Sequence, residues 1–251
     1  MPVSLLVLLA AFGLIGGIGI AAVGPGGVLP TIGLFLLTDL SPAEVAGTAM
    51  ITHVATGALA TAAYTHSGHL REPRTRRTAL ILAGTALAGA PAGVLINSAV
   101  GTQVFGLILA ALMILVAALV WRRQLGSTRQ APSNQPPPAV VAGIGLGVAT
   151  TAGVVGIGGP MLSVPLLVAA GVPLLESLAA AQAQSIVIAT TGTLGYLASD
   201  AIDWPLAAIV GIPELGGVLL GWKIARTLPT RHLTTTLVVS LLVLAPFIAF
   251  G

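Results

Sequence analysis

The chain has 251 residues, 56% of them hydrophobic and only 7% charged, with a net charge of +3 and no cysteine. Soluble domains carry about 25% charged residues, so a mean hydropathy of +1.04 excludes a fold that covers itself with polar side chains. The missing cysteines exclude disulfides and thiolate metal sites, and bases confined to the ends of apolar runs exclude a nucleic-acid-binding face.

Apolar runs of about 20 residues recur without alternation, which predicts a polytopic all-α membrane protein and not a β-barrel. The first run, Val3–Val23, has no basic segment before it and no clear cleavage site, and is read as a retained helix. A glycine turn follows, in "VGPGGVLP" (Val23–Pro30), then a short segment, Val28–Leu37. At about 15 Å as a helix, that segment reads as a partner of the first in a re-entrant hairpin. Val45–Tyr64 is a helix sprinkled with Thr and one His, His53, and "THSGHLREPRTRR" is a basic loop. Thr78–Val100 and Gln103–Trp121 form a hairpin, and residues 122–138, polar and Pro-rich, are a linker unable to span. Beyond it come Val140–Val155, a second glycine turn in "VGIGGPML" (Val155–Leu162), Met161–Ala170, Ser177–Ala198, Pro205–Trp222, a basic loop and Leu233–Phe250. Residues 1–121 and 139–251 are thus two membrane units of about five segments each, 8–10 in all.

The units resemble each other at a constant shift of 132, the distance from Gly24 to Gly156. Gly13, Gly24, Gly26, Gly27, Gly84 and Gly89 fall on Gly145, Gly156, Gly158, Gly159, Gly216 and Gly221. Glu44, Thr61, Tyr64 and Pro73 fall on Glu176, Thr193, Tyr196 and Pro205. This points to an internal duplication. The bases exchange places: Arg71, Arg74, Arg76 and Arg77 precede Thr78–Val100, whereas Lys223, Arg226 and Arg231 follow the matching segment. With these and Arg122, Arg123 and Arg129 all cytoplasmic, equivalent segments run in opposite directions and both termini lie outside. Inverted repeats of this kind are a construction of secondary transporters.

The order of these motifs resembles the TauE/SafE sulfite exporter family. The residues that carry the likeness are "GPGGVLP", the helix start "AEVAGTAM" (Ala46, Gly47, Thr48), "GIGGPMLSVPLL" with Pro165, "AAAQAQS" and "GYLASDAIDW". Pro25 and the early Pro30 depart from the family pattern, as does Gly33, which faces Pro165. So do Gln182 and Gln184, where a Thr-Ser pair is more usual. The resemblance implies a carrier of small anions, often sulfite or sulfonates, in the cytoplasmic membrane and without a redox cofactor.

The residues themselves allow two readings of the glycine clusters. Gly24, Gly26, Gly27, Gly156, Gly158 and Gly159 serve as tight interhelical turns. Alternatively they free the first N–H groups of two short helices to face one anion. That arrangement suits a chain with no base inside its apolar runs. Thr48, Thr52, His53, Gln182, Gln184 and Ser185 would complete the wall, although hydroxyls often only bond back to their own helix. Glu214, the only acid well inside an apolar run, is either a packed hydrogen-bonded carboxyl or a proton carrier. Glu44 and Glu176 are expected to cap helices, and His66, His69 and His232 lack metal-ligand spacing. No catalytic residue, metal ligand or cofactor is expected. The partners expected are a small anion and the bilayer, with a homodimer left open. A carrier should show an occluded polar cavity between the repeats, a channel a continuous pore, and an intramembrane enzyme a metal or a His–acid pair.

Overall fold

The computed structural model describes residues 1–22, 24–125, 136–224 and 230–250. Ten α-helices follow in order among them: α1 (Val3–Ala22), α2 (Val28–Leu37), α3 (Pro42–His66), α4 (Pro73–Asn97) and α5 (Thr102–Leu125) in the first half. The second half holds α6 (Pro138–Val155), α7 (Pro160–Ala169), α8 (Leu174–Ala198), α9 (Trp204–Ile224) and α10 (Thr230–Phe250). Six of them, α1, α3, α4, α5, α6 and α9, are long and apolar enough to cross a membrane. Outward-facing residues are apolar as well, with Val3, Leu95 and Ile212 each at least 70% exposed. Such a surface is a liability in water and is what a bilayer solvates. Arg129 and Arg226 lie outside the described residues, as do the side chains of Arg122, Arg123, Arg231 and His232.

Helix ends differ from the hydropathy reading for local reasons. α3 starts at Pro42, because the Ser41 hydroxyl accepts from the Glu44 N–H while the Glu44 carboxylate accepts from the Ser41 N–H. This reciprocal cap satisfies two orphan donors. α4 starts at Pro73, so Arg74, Arg76 and Arg77 belong to its first turns and not to a loop. Proline suits the first helical position, and the arginines there are exposed. α5 runs on past Trp121 to Leu125, into the stretch read as linker.

The repeat is visible in the elements. Adding 132 to the bounds of α2 gives those of α7 (28 and 37 become 160 and 169), and adding it to α3 gives those of α8 (42 and 66 become 174 and 198). Packing follows the same exchange: α1 lies along α9 and α6 along α4, while α3 meets its counterpart α8 and α5 meets α10. Gly57 of α3 faces Ile186, and Met50 of α3 faces Gly192, so α3 and α8 are antiparallel. A two-fold axis that relates antiparallel helices is perpendicular to both, and equivalent helices therefore run in opposite directions. α1 and α9 are parallel, since Gly13 meets Val210 and Gly17 meets Glu214; α3 runs with α9, since Thr52 meets Gly211 and Thr48 bonds Asp203.

Small residues make these approaches close. A side chain on Gly13 or Gly17 would overlap the carbonyl of Val210 or Glu214, and one on Gly217 or Gly221 would overlap that of Leu14 or Ile18. α2 folds back on α1, Gly16 against Pro30 and Gly33 against Phe12, which is the expected hairpin. Its N-terminus is thereby placed deep in the bundle, beside α3.

Candidate functional site

Gly24 and Gly156, equivalent under the shift, both take positive φ, 101° and 71°, which turns the chain from the long helix into the short one. A residue with a Cβ is strained there. The remaining glycines act through space. Gly27 and Gly159 have ordinary helical φ of −64° and −52°. Gly26 packs on the backbone of Gly19 and Ile20, a purely structural contact. A Cβ on Gly27 would lie 3.6 Å from His53 Cε1, and one on Gly158 would lie 3.9 Å from His53 Cδ2 and 3.2 Å from Ser185 Oγ. One from Gly159 would lie 3.4 Å from Gln184 Oε1. The two glycine turns, one from each half, thus flank a single imidazole. The Gly158 and Gly159 N–H groups find no acceptor among the described residues.

That imidazole has an acid beside it. His53 Nδ1 is 3.1 Å from Glu214 Oε1, and the side chains are 1% and 0% exposed. His53, Ser185 and Glu214 all stand near the midpoints of their helices, α3, α8 and α9. The distance is that of an ion pair, but the groups are not aligned as a hydrogen bond, and His53 Nε2 and Glu214 Oε2 have no partner either. Both amide atoms of Gln182, one turn before Ser185, are also buried without a partner. Each such group costs about 1–3 kcal/mol of desolvation, so native proteins hold few of them. His53, Gln182 and Glu214 hold most of these atoms among the described residues, with the rest on Thr61, Thr75, Asn97 and Thr193.

The other expected wall residues are engaged. Thr48 Oγ1 accepts from the Asp203 N–H at 2.9 Å and so secures the start of α9. Thr52 donates to the Ala49 carbonyl and Thr56 to that of Thr52, both within their own helix. Gln184 accepts from the Ser163 hydroxyl and donates to the Gly145 carbonyl at 3.1 Å, tying α8 to α7 and α6. Thr31 of α2 donates to the Gly156 carbonyl at 2.9 Å, a bond from the first half into the second glycine turn. Glu44 caps α3 as expected, whereas α8 begins with Glu176 in its first turn but no side-chain cap. His69 Nδ1 pairs with Ser67 Oγ on the surface. No group of three or more His, Asp or Glu suited to a metal occurs among the described residues.

Sequence reasoning missed Thr31, Ser163 and Asn97, whose amide donates to the Val154 carbonyl at 2.6 Å. It also missed Tyr196, whose hydroxyl donates to the Gly153 carbonyl at 2.6 Å. Thr31 and Ser163 are equivalent under the shift, the one signal that could have singled them out.

The His–acid pair is the feature set above for an enzyme. A nucleophile's hydroxyl would have to bond the second imidazole nitrogen, and His53 Nε2 is unbonded. What the arrangement brings together is a buried imidazole and a buried carboxyl with atoms that no described residue pairs; neither group lines either of the described cavities, so the occluded polar cavity expected of a carrier is not seen around them.

Ten packed helices with an apolar exterior and a polar cluster halfway along them define a multi-pass membrane protein. The model of the family described as Sulfite exporter TauE/SafE matches residues 9–248, and the chain belongs to that family. Its function is accordingly of the membrane sulfite or anion exporter type, and the family is one of transporters. No curated protein matches the chain, and no solved structure does.

Proposed function

We propose that the protein is a secondary transporter that moves a small sulfur oxyanion, sulfite first among them, across the cytoplasmic membrane by alternating access, with a proton carried at His53 and Glu214. One observation supports this above the rest: the buried His53–Glu214 pair, with its unpaired atoms, lies between the two glycine turns at the middle of the helices. No Lys or Arg is buried among the described residues. Backbone N–H groups, the imidazole and the Gln182 amide are therefore the donors left for an anion.

The carboxylate explains the coupling. An anion next to an ionised Glu214 is repelled in a medium of low dielectric. A proton added to the pair removes that repulsion, so anion and proton travel together. The basic ends give the orientation. α3 and α9 run in the same direction, and α3 leads into Arg71–Arg77 while α9 carries Lys223 in its last turn. Placing both ends in the cytoplasm leaves the start of α1 outside.

The test is uptake into proteoliposomes of sulfite, sulfate, thiosulfate and small sulfonates, with and without a pH gradient. Sulfite uptake that saturates and responds to the gradient supports the reading. Flux that is unsaturable and ignores the gradient would favour a channel.

A further inference from the structure

The two halves share a fold but are not packed alike, and one pair of equivalent tyrosines, Tyr64 and Tyr196, differs in its bonding. A cavity of about 180 Å³ opens between the C-terminal ends of α1, α3 and α9, lined by Ala21, Ala60, Tyr64, Val218 and Trp222 among others. Val218 is one turn beyond Glu214 and Ala60 two turns beyond His53, so the cavity, mostly apolar in its lining, lies beyond the buried pair on the side of the basic end of the bundle without reaching it.

The equivalent positions, 132 residues away, are Gly153, Gly192, Tyr196, Ala86 and Ala90. There the space is filled. Tyr196 is 1% exposed, Ala86 and Ala90 are 0% exposed, and Met50 packs on Gly192. The Tyr196 hydroxyl donates to the Gly153 carbonyl, one of the last four of α6, which no helical N–H serves. In the open half Tyr64 is half-buried, and its hydroxyl bonds no described residue. The counterpart acceptor exists. Ala21 is in the last turn of α1, and the residue four positions on is Pro25, which has no N–H to offer its carbonyl.

We infer that the cavity is the cytoplasmic mouth of the substrate path, that the Tyr196–Gly153 bond is the latch that shuts the opposite mouth, and that the other access state forms when Tyr64 bonds the Ala21 carbonyl and Tyr196 lets go. The inference rests on the transport reading above. It assigns the two tyrosines as gate residues that touch neither anion nor proton. Exchanging the conformations of two inverted halves turns one access state into the other, so a bond made in one half and missing in its counterpart marks where the states differ. Pro25, a departure from the family pattern, offers no N–H that could compete for that carbonyl.

The chain lacks cysteine, so single cysteines report access directly. Ala90→Cys, in the shut mouth, is labelled from outside with a membrane-impermeant thiol reagent. Ala86→Cys serves as a second reporter should the first disturb packing. Labelling is slow while the mouth stays shut and proceeds through the minor open state. Tyr196→Phe removes a bond present only in the observed state, and is expected to raise the rate about fivefold, the effect of one net hydrogen bond. Tyr64→Phe removes a bond present only in the other state, and is expected to lower the rate by a similar factor. Rates that do not move, or that move the same way in both variants, overturn the inference. Should Tyr196→Phe fail to fold, Tyr64→Phe decides alone: a labelling rate that is unchanged or raised overturns the inference. Labelling needs no substrate. Failure of sulfite uptake by the unaltered protein would therefore strike the transport reading alone, and unmoved labelling the latch alone.

Discussion

His53 and Glu214 stand 161 residues apart in sequence (214 less 53) and 3.1 Å apart in space. Each was legible alone, one as a histidine inside a span and the other as the lone acid in an apolar run. Their pairing was not, because the internal shift aligns His53 with Ser185 and Glu214 with Leu82, and so hides a contact that crosses the repeats without symmetry. Truncating one partner leaves a buried group uncompensated, which costs about 3–5 kcal/mol. His53→Ala is therefore expected to lower the apparent Tm in detergent sharply, and His53→Ala with Glu214→Leu to recover much of the loss. Glu214→Gln keeps the shape of the pair but cannot exchange a proton. It is expected to bind anion while its uptake no longer responds to a pH gradient in proteoliposomes. The glycines separate by role. Gly156→Ala meets both a φ of 71° and the Ala46 backbone and is expected to be destabilising, whereas Gly27→Ala meets only ordinary contacts and is expected to fold. Among the cluster glycines only Gly24 and Gly156 take positive φ, so the turn itself rests on one glycine in each half.

Helices set the precision with which these residues meet. Hydropathy placed Val28–Leu37 to the residue, since a glycine turn and a polar break bracket it. It missed the start of α4 by five positions (Pro73 for Thr78), because arginines were counted as loop when they form the water-facing first turn of a span. The Ser41–Glu44 cap fixes where α3 begins and, through twelve residues of rigid helix, where His53 points. Ser41→Ala is expected to cost about 1 kcal/mol, read as a modest fall in apparent Tm. Gly217→Leu places a side chain against the Leu14 carbonyl and should part α1 from α9. The expected result is protein that fails to run as a single species on gel filtration, since packing of small residues holds such helices together.

At the scale of the molecule, the shift of 132 carried most of the architecture. It gave the two halves, and the exchange of basic loops gave their opposite sense; the antiparallel contact of α3 with α8 agrees. Ser67 and Ser199 follow equivalent helices and are exposed. Cysteines at these positions are expected to label from opposite sides of the membrane. What no shift could reveal is asymmetry: Glu214 without an acid opposite it, the Tyr196 hydroxyl bonded where that of Tyr64 bonds no described residue, one mouth open and one shut. Those differences arise from tertiary packing between distant segments and leave no periodic trace. The central claim is that both glycine turns close around one anion at His53. It is tested most directly by equilibrium binding of radiolabelled sulfite to purified protein with Gly27→Val or Gly159→Val. A Cβ at position 27 meets Ile20 and then the imidazole, and one at position 159 meets Ile188, the Ala181 carbonyl and the Gln184 amide, all at 3.2–3.6 Å, so both variants are expected to remain monodisperse and lose sulfite binding. Two folded variants that bind sulfite with unchanged affinity would contradict the account.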